Sequence, residues 1–175
     1  LRDYYIMSSY NSCSNGDYNN SFVDIEALKK VIKQGARVLD FEIYSVDGET
    51  VVACSYTDNY YQKGSYNNIP FSKVIEIVKL YAFSGSTSPS FNDPLILHFR
   101  IKSREPRVYE DMSKILSREL SRYMLPRKYN NLSGGENIFA EPLKNFLGKV
   151  IFVCDKTNEV FTKSGLKEIM NATSG

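Results

Sequence analysis

Residues 35–57, GARVLDFEIYSVDGETVVACSYT, decide how the rest of the chain is read. Val38 to Tyr44 has the apolar content and period-two alternation of a strand. Val46-Asp47-Gly48-Glu49 follows as a turn, because Asp-Gly accepts the left-handed backbone a tight hairpin needs, and Thr50 to Cys54 returns as a short strand. In front of the first strand, Gly35 stands where a helix C-cap belongs. Upstream of it Phe22, Val23, Ile25, Leu28, Val31 and Ile32 repeat at helical spacing. Within the strand, alternation puts Asp40 and Glu42 on one face. A charge placed there must be paired if it is buried.

Working outward, Asp3 to Ser9 reads as a strand running into a turn rich in Asn, Ser and Gly. Ser55 to Asn68 is a long loop full of Tyr and Asn. Pro70 opens an amphipathic helix with Phe71, Val74, Ile75, Val78 and Tyr81 as its apolar stripe. Pro94 to Ile101 is a near-continuous apolar strand of the kind found in sheets covered on both faces, and alternation sets Ile96, His98 and Arg100 on one of them. A helix from about Arg107 to Tyr123 and a strand from Lys149 to Cys154 follow, and Lys163 to Met170 reads as helical. Alternating strands and helices predict an α/β fold with a parallel sheet or barrel, in one domain.

Composition narrows the partners. Twenty-two basic and twenty acidic residues in 175 leave a net charge of +2, so a nucleic-acid partner is not indicated. No apolar run is long enough to span a membrane and no basic-then-apolar leader opens the chain. Cys13, Cys54 and Cys154 have neither paired spacing nor an even count, which speaks against a disulfide framework or zinc site and for a reducing compartment. The Tyr and Asn enrichment is read as genome bias. A start at Leu1 is read as a piece of a longer chain or a processed product.

Five stretches in order, YYIMSSYNS (4–12), residues 35–57 above, IPFSKVIEIVKLYAF (69–83), DPLILHFRIKS (93–103) and LGKVIFVCDK (147–156), resemble the X region of phosphatidylinositol-specific phospholipase C. The resemblance implies a TIM-barrel-like fold, partial because the X region supplies only its first half or somewhat more. It also implies a site of two histidines with, in eukaryotic members, calcium-binding carboxylates. Residue by residue that site is altered. Tyr10 stands at the first histidine, of Ser-Ser-His-Asn, and Asn11 keeps the calcium-contacting Asn. Cys54 stands at the second histidine, Asp40 and Glu42 match the calcium-binding Glu-x-Asp pair with the acids exchanged, and a further calcium Glu is replaced by Arg100. Two phosphate-holding lysines correspond to Val153 and Asp155.

A phenol or thiol is a poor substitute for imidazole in acid–base work, and each lost group is worth roughly 10² to 10⁴ in rate. Arg100 would point at the carboxylates, repel a cation and satisfy them itself. Asp40 and Glu42 are accordingly read as partners of Arg100 rather than metal ligands, His98 as a hydrogen-bonded core residue, Cys54 as a buried filler and Ser133-Gly134-Gly135 as a turn. For Tyr60, Tyr61 and Tyr66 a partner surface and local packing stand level.

The expectation is therefore a catalytically inactive domain, without cofactor and with its calcium site lost. It would act as a structural or interaction module among other protein subunits that cover the open sheet edges, in the cytoplasm or a virion, with a minor capsid protein as the setting to test. The alternatives are a phosphodiesterase with unorthodox residues, relying on Asn11, Asp40, Glu42 and Cys54, and a phosphoinositide-binding module, which the missing lysines disfavour.

Overall fold

The structure, a computed structural model, describes residues 1, 3–16, 22–55, 63–130, 135–155 and 158–174. The readings at Tyr60, Tyr61, Ser133 and Gly134 lie outside the described residues. Strand β1 is Ser8–Ser9 and helix α1 is Ile25–Lys33. Asp24 caps α1 by accepting the Glu26 N–H at 2.9 Å, and Leu28 and Ile32 bury its apolar stripe. The chain leaves the helix through Gly35 at φ +100°, a backbone that favours glycine.

Strands β2 (Val38–Val46) and β3 (Glu49–Ala53) form an antiparallel hairpin in the register Val46↔Glu49 to Glu42↔Ala53. Asp47 (φ 49°) and Gly48 (φ 80°) both occupy the left-handed region, as a two-residue turn matched to strand twist requires. Strand β4 (Ile69–Pro70) adds to β3 and leads into helix α2 (Phe71–Ala82). Then come β5 (Leu95–Ile101), α3 (Pro106–Leu120, with a 3-10 turn to Tyr123), β6 (Val150–Cys154), the short α4 (Glu159–Thr162) and β7 (Ala172–Thr173).

Strands β1, β2, β5, β6 and β7 lie side by side, parallel and in chain order, with a helix in each connection. This is the start of a β/α barrel. Among the described residues the sheet stays open, ending at β4 and β7.

One face of the sheet carries Leu39, Phe41, Ile43, Leu97, Phe99, Ile101 and Phe152, all buried against the helices in a single core. Phe99 sits at its centre, its ring centroid 6.2 Å from Phe41, 5.7 Å from Phe71 and 6.4 Å from Phe152. Truncating such a ring to Ala costs about 3–5 kcal/mol. The opposite face changes character along the strands. Near their N-terminal ends Ile96 and Ile151, and further along β6 also Val153, pack under Leu1, Leu125, Tyr129 and Phe146. Toward the C-terminal ends, His98 and Arg100 emerge instead. The double coverage expected of β5 thus holds only for its first half, because the residues alternating with its buried positions become polar.

Other boundaries differ from the sequence reading. The strand expected from Asp3 to Ser9 shrinks to two residues: β2 begins only at Val38, opposite Ser8, and beyond Leu39 the edge of β2 is taken by the turn at Ser12, whose N–H donates to the Asp40 carbonyl at 2.9 Å. The helical stretch expected from Lys163 to Met170 is a 3-10 segment, Gly165–Ile169, and β7 beyond it has too little sequence to announce itself. At the other end of the strands Arg37 is buried, donating to the carbonyls of Ala82 and Asp93 at 2.6 Å each, and burial lowers its guanidinium to about 10 despite nearby Asp93. No helix of the described residues is long and apolar enough to cross a membrane.

Candidate functional site

The polar end of the inner face is assembled by register. Asp40 pairs with His98 and Glu42 with Arg100 across β2 and β5, so alternation puts the four side chains together. Asn11, one residue past the Tyr10 that follows β1, turns at φ 45° and brings its backbone N–H to Asp40 Oδ2 at 3.0 Å. Arg100 ties the group. Its Nε donates to Asp40 Oδ1 at 3.0 Å, its Nη2 to Asp40 Oδ2 and to Asn11 Oδ1 at 2.7 Å each, and its Nη1 to Glu42 Oε1 at 2.7 Å.

Glu42 is closed off further. Its Oε2 accepts from the Tyr44 hydroxyl at 2.7 Å and the Ser55 N–H at 2.8 Å, and its Oε1 accepts from the Ser55 hydroxyl at 3.0 Å. Asp40 accepts from both sides: His98 Nδ1 lies 2.8 Å from the same Oδ1 that Arg100 Nε reaches. Burial pushes the Asp40 carboxyl up, yet the bonds from His98, Arg100 and Asn11 outweigh it and hold it at about 2. Burial likewise works against the Arg100 charge, and the hydrogen bonds and charge of Asp40 more than restore it, so the guanidinium binds its proton more tightly than usual.

Tyr10 lays its ring 4.4 Å from Arg100 Cζ while remaining 71% exposed. A cation held under an aromatic face gains about 0.5–2 kcal/mol and loses solvent on that side. Cys54 is buried, its thiol pushed up to about 12, first by burial and then by Glu42. A thiol held protonated is a poor nucleophile and a poor base. Val153, level with His98, packs against the apolar cluster of Leu125 and Phe146, and Asp155 takes the Ile101 N–H at 3.1 Å; neither side chain is a cation for a phosphate.

His98 is not the enclosed core residue expected. Its side chain is 23% exposed and flanks an open groove of about 310 Å³, together with Ser9, Tyr10, Val38, Asp40 and Arg100. Ionised Asp40 can only accept, so Nδ1 is the donor to it, and Ser174 Oγ stands 2.8 Å from the other ring nitrogen, Nε2, which can accept in the Nδ1–H tautomer. Ser174 was invisible to sequence reasoning, since only the pairing of β7 with β6 brings it here. Tyr44 and Ser55 were missed as well, although alternation from Asp40 and Glu42 leads to Tyr44.

A calcium ion at this mouth would need the same donor set. The oxygens of Asp40, Glu42 and Asn11 that would face the ion each lie 2.7–3.0 Å from a guanidinium N–H. A divalent cation would have to displace a fixed positive charge, so these residues do not fit it. Among the described residues no group of three or more His, Cys, Asp or Glu side chains is arranged to hold a metal.

The family model of the phosphatidylinositol-specific phospholipase C X domain matches residues 1–157. No curated protein matches by sequence. Among solved structures the chain is similar to L. pealei PLC21, with a TM-score of 0.72 and 15% identity, covering 100% of this chain and 24% of that one. It is also similar to a calcium-dependent phosphoinositol-specific phospholipase C from the Gram-negative bacterium Pseudomonas sp. (0.56, 16%, covering 95% and 64%) and to a Ca²⁺-dependent phosphatidylinositol-specific phospholipase C from Streptomyces antibioticus (0.58, 11%, covering 91% and 54%). The chain thus spans about a quarter to two thirds of these relatives, and the likeness carries the fold.

The expectation that the chain is not an enzyme is overturned by the family match, because the matched domain is that of an enzyme family. Beside the family positions at Tyr10 and Cys54, the fold brings an imidazole held by a carboxylate, His98 on Asp40, to the same mouth. With nine-tenths of its length matched by that model, the chain belongs to the phosphatidylinositol-specific phospholipase C X-domain family.

Proposed function

We propose that this domain is the site-bearing part of a phosphodiesterase that acts on phosphoinositide-class substrates without calcium. The observation that carries the reading is the three-way contact at Asp40: one carboxylate holds both the His98 imidazole and the Arg100 guanidinium. Cleaving a phosphodiester requires a base for the attacking hydroxyl, an acid for the leaving alkoxide, and positive charge near the phosphoryl oxygens. His98 supplies the first two in turn, its ring fixed by Asp40. Arg100 supplies the third, in the position that the family resemblance gives to a calcium ligand. Of its five N–H donors, four are used by Asp40, Glu42 and Asn11, which leaves one on Nη1 for a substrate oxygen. The fixed carboxylate partners spare the guanidinium any reorganisation as charge develops. Tyr10 shields one face of the cation and borders the groove.

The test is release of inositol phosphates from phosphatidylinositol vesicles, with EGTA and with added calcium. Turnover is expected to be the same in both conditions and to fall at least about 100-fold in His98→Gln. Turnover that requires calcium, or that survives His98→Gln unchanged, sinks the reading.

A further inference from the structure

The His98–Asp40 dyad has a third member. Ser174 Oγ lies 2.8 Å from His98 Nε2, and His98 Nδ1 lies 2.8 Å from Asp40 Oδ1, so nucleophile, base and orienting carboxylate form one hydrogen-bonded line. The three come from three places in the sheet: β2, β5 and the residue after β7. Their spacing is set by backbone, not by flexible side chains alone. Asp40 and His98 are cross-strand neighbours, and the Ser174 N–H donates to the Cys154 carbonyl at 3.0 Å, continuing the β6–β7 ladder past Thr173. Ser174 is exposed beside His98, which flanks the groove.

The dyad has one proton-accepting atom, Nε2, and Ser174 occupies it. A substrate hydroxyl seeking the same base must first displace the serine. A serine hydroxyl backed by an imidazole, itself oriented by a carboxylate, is the arrangement that activates serine for covalent catalysis on unrelated folds. Arg100 is bonded to the same Asp40 and fixes the carboxylate that orients the imidazole.

We infer that Ser174 is the attacking nucleophile of this site and that the phosphodiester is cleaved through a covalent phosphoserine intermediate. The inference rests on the reading of the mouth as a phosphodiester site and names its attacking hydroxyl. Ser174 Oγ bonds to phosphorus while its proton passes to His98 Nε2. The bond from phosphorus to the leaving alcohol breaks, and the departing alkoxide takes that proton. A water molecule, giving its proton to His98, then attacks phosphorus; the serine–phosphorus bond breaks, Ser174 regains a proton from His98, and a phosphomonoester leaves. No oxidant or reductant enters, and the product carries one oxygen from water. The role suits phosphodiesters whose alcohol has no neighbouring hydroxyl as well as those that have one.

A fluorophosphonate ester tests the serine directly, since attack at its phosphorus expels fluoride and leaves the label on oxygen. The folded protein is expected to be phosphonylated at Ser174, as located by mass spectrometry of the digested chain. Labelling should drop at least about 100-fold in His98→Gln and vanish in Ser174→Ala, with circular dichroism showing both variants folded. No label on Ser174, or equal labelling in His98→Gln, overturns the inference. So does phosphatidylinositol turnover by Ser174→Ala at the parent rate, an outcome that leaves the phosphodiesterase reading standing. Labelled Ser174 in a protein without phosphatidylinositol turnover upholds the nucleophile and removes the phosphoinositide reading alone.

Discussion

Arg100 and Asp40 meet through two parallel hydrogen bonds, Nε to Oδ1 at 3.0 Å and Nη2 to Oδ2 at 2.7 Å, and the same guanidinium reaches Glu42 at 2.7 Å. The two carboxylates are 6% and 1% exposed, the guanidinium 16%. Removing the cation leaves two buried anions facing each other with little water. Arg100→Ala is therefore expected to destabilise the fold by about 3–5 kcal/mol, lowering Tm on the order of 10 °C. Arg100→Lys should recover only part of the loss, because an ammonium cannot bridge Asp40, Glu42 and Asn11 from one plane. Urea unfolding of the three proteins decides, and an Arg100→Ala variant as stable as its parent rejects the network as a structural element.

Asp40 also sets an acid limit. Its carboxyl is held at about 2 against an ordinary 3.8. As pH falls, the unfolded chain takes up the proton first, so this contribution is fully present above 3.8 and is lost as pH drops through about 2. It amounts to about 2 kcal/mol. Comparing urea midpoints of the parent and Asp40→Asn across that window should show the parent losing its advantage toward the acid end. Parallel pH profiles for the two proteins contradict the assignment.

The hairpin and the paired carboxylates were legible because both depend on neighbours in sequence: an Asp-Gly turn, and alternation along one strand. The meeting of Asp40 and Glu42 with Arg100 was reachable too, since two alternating strands placed in parallel bring like faces together. Three things were not. Tyr5 and Met7 look like strand residues, but whether they pair depends on where β2 begins. His98 reads as a core residue until the inner face is seen to open beside it. Ser174 carries no local signal, because its place follows from a two-residue strand docking on β6 and from the Cys154 carbonyl that accepts its N–H. Long-range pairing, not propensity, decides each of these.

The three thiols are expected to be inert in the folded protein. Cys13, Cys54 and Cys154 are all buried, and burial is the main cause that raises each of them, Cys54 to about 12. The thiolate is the reactive form, so almost none is available near neutral pH. Ellman titration should find no reactive thiol in native buffer and all three in denaturant. Rapid reaction of Cys54 in the native state contradicts its burial.

The turn offers a local check on the hairpin that carries Asp40 and Glu42. Gly48 sits at φ 80° with nothing within 4 Å of where a Cβ would stand, so substitution there meets backbone strain and no clash. Gly48→Ala should cost about 1–2 kcal/mol, without changing the slope of the denaturation curve. A cost near zero means that the turn adopts another type.

Arg100→Glu would place a third carboxylate at this mouth. If Arg100 stands where a cation-binding site would otherwise form, then Arg100→Glu converts one guanidinium and two carboxylates into three carboxylates beside the Asn11 amide oxygen, a set of hard oxygen donors suited to calcium. Without a cation the variant carries uncompensated negative charge in a buried cluster and should melt well below its parent. Calcium at a hundred times its dissociation constant returns about 2.7 kcal/mol, so Tm should climb with added calcium and level off. Magnesium should do less, since it demands tighter octahedral geometry and keeps its water. The parent is expected to show no calcium-dependent shift, because the oxygens that would bind the ion already hold the guanidinium. A parent Tm that rises with calcium as steeply as the variant's shows that the ion can displace Arg100, and the calcium-free reading of the site then fails.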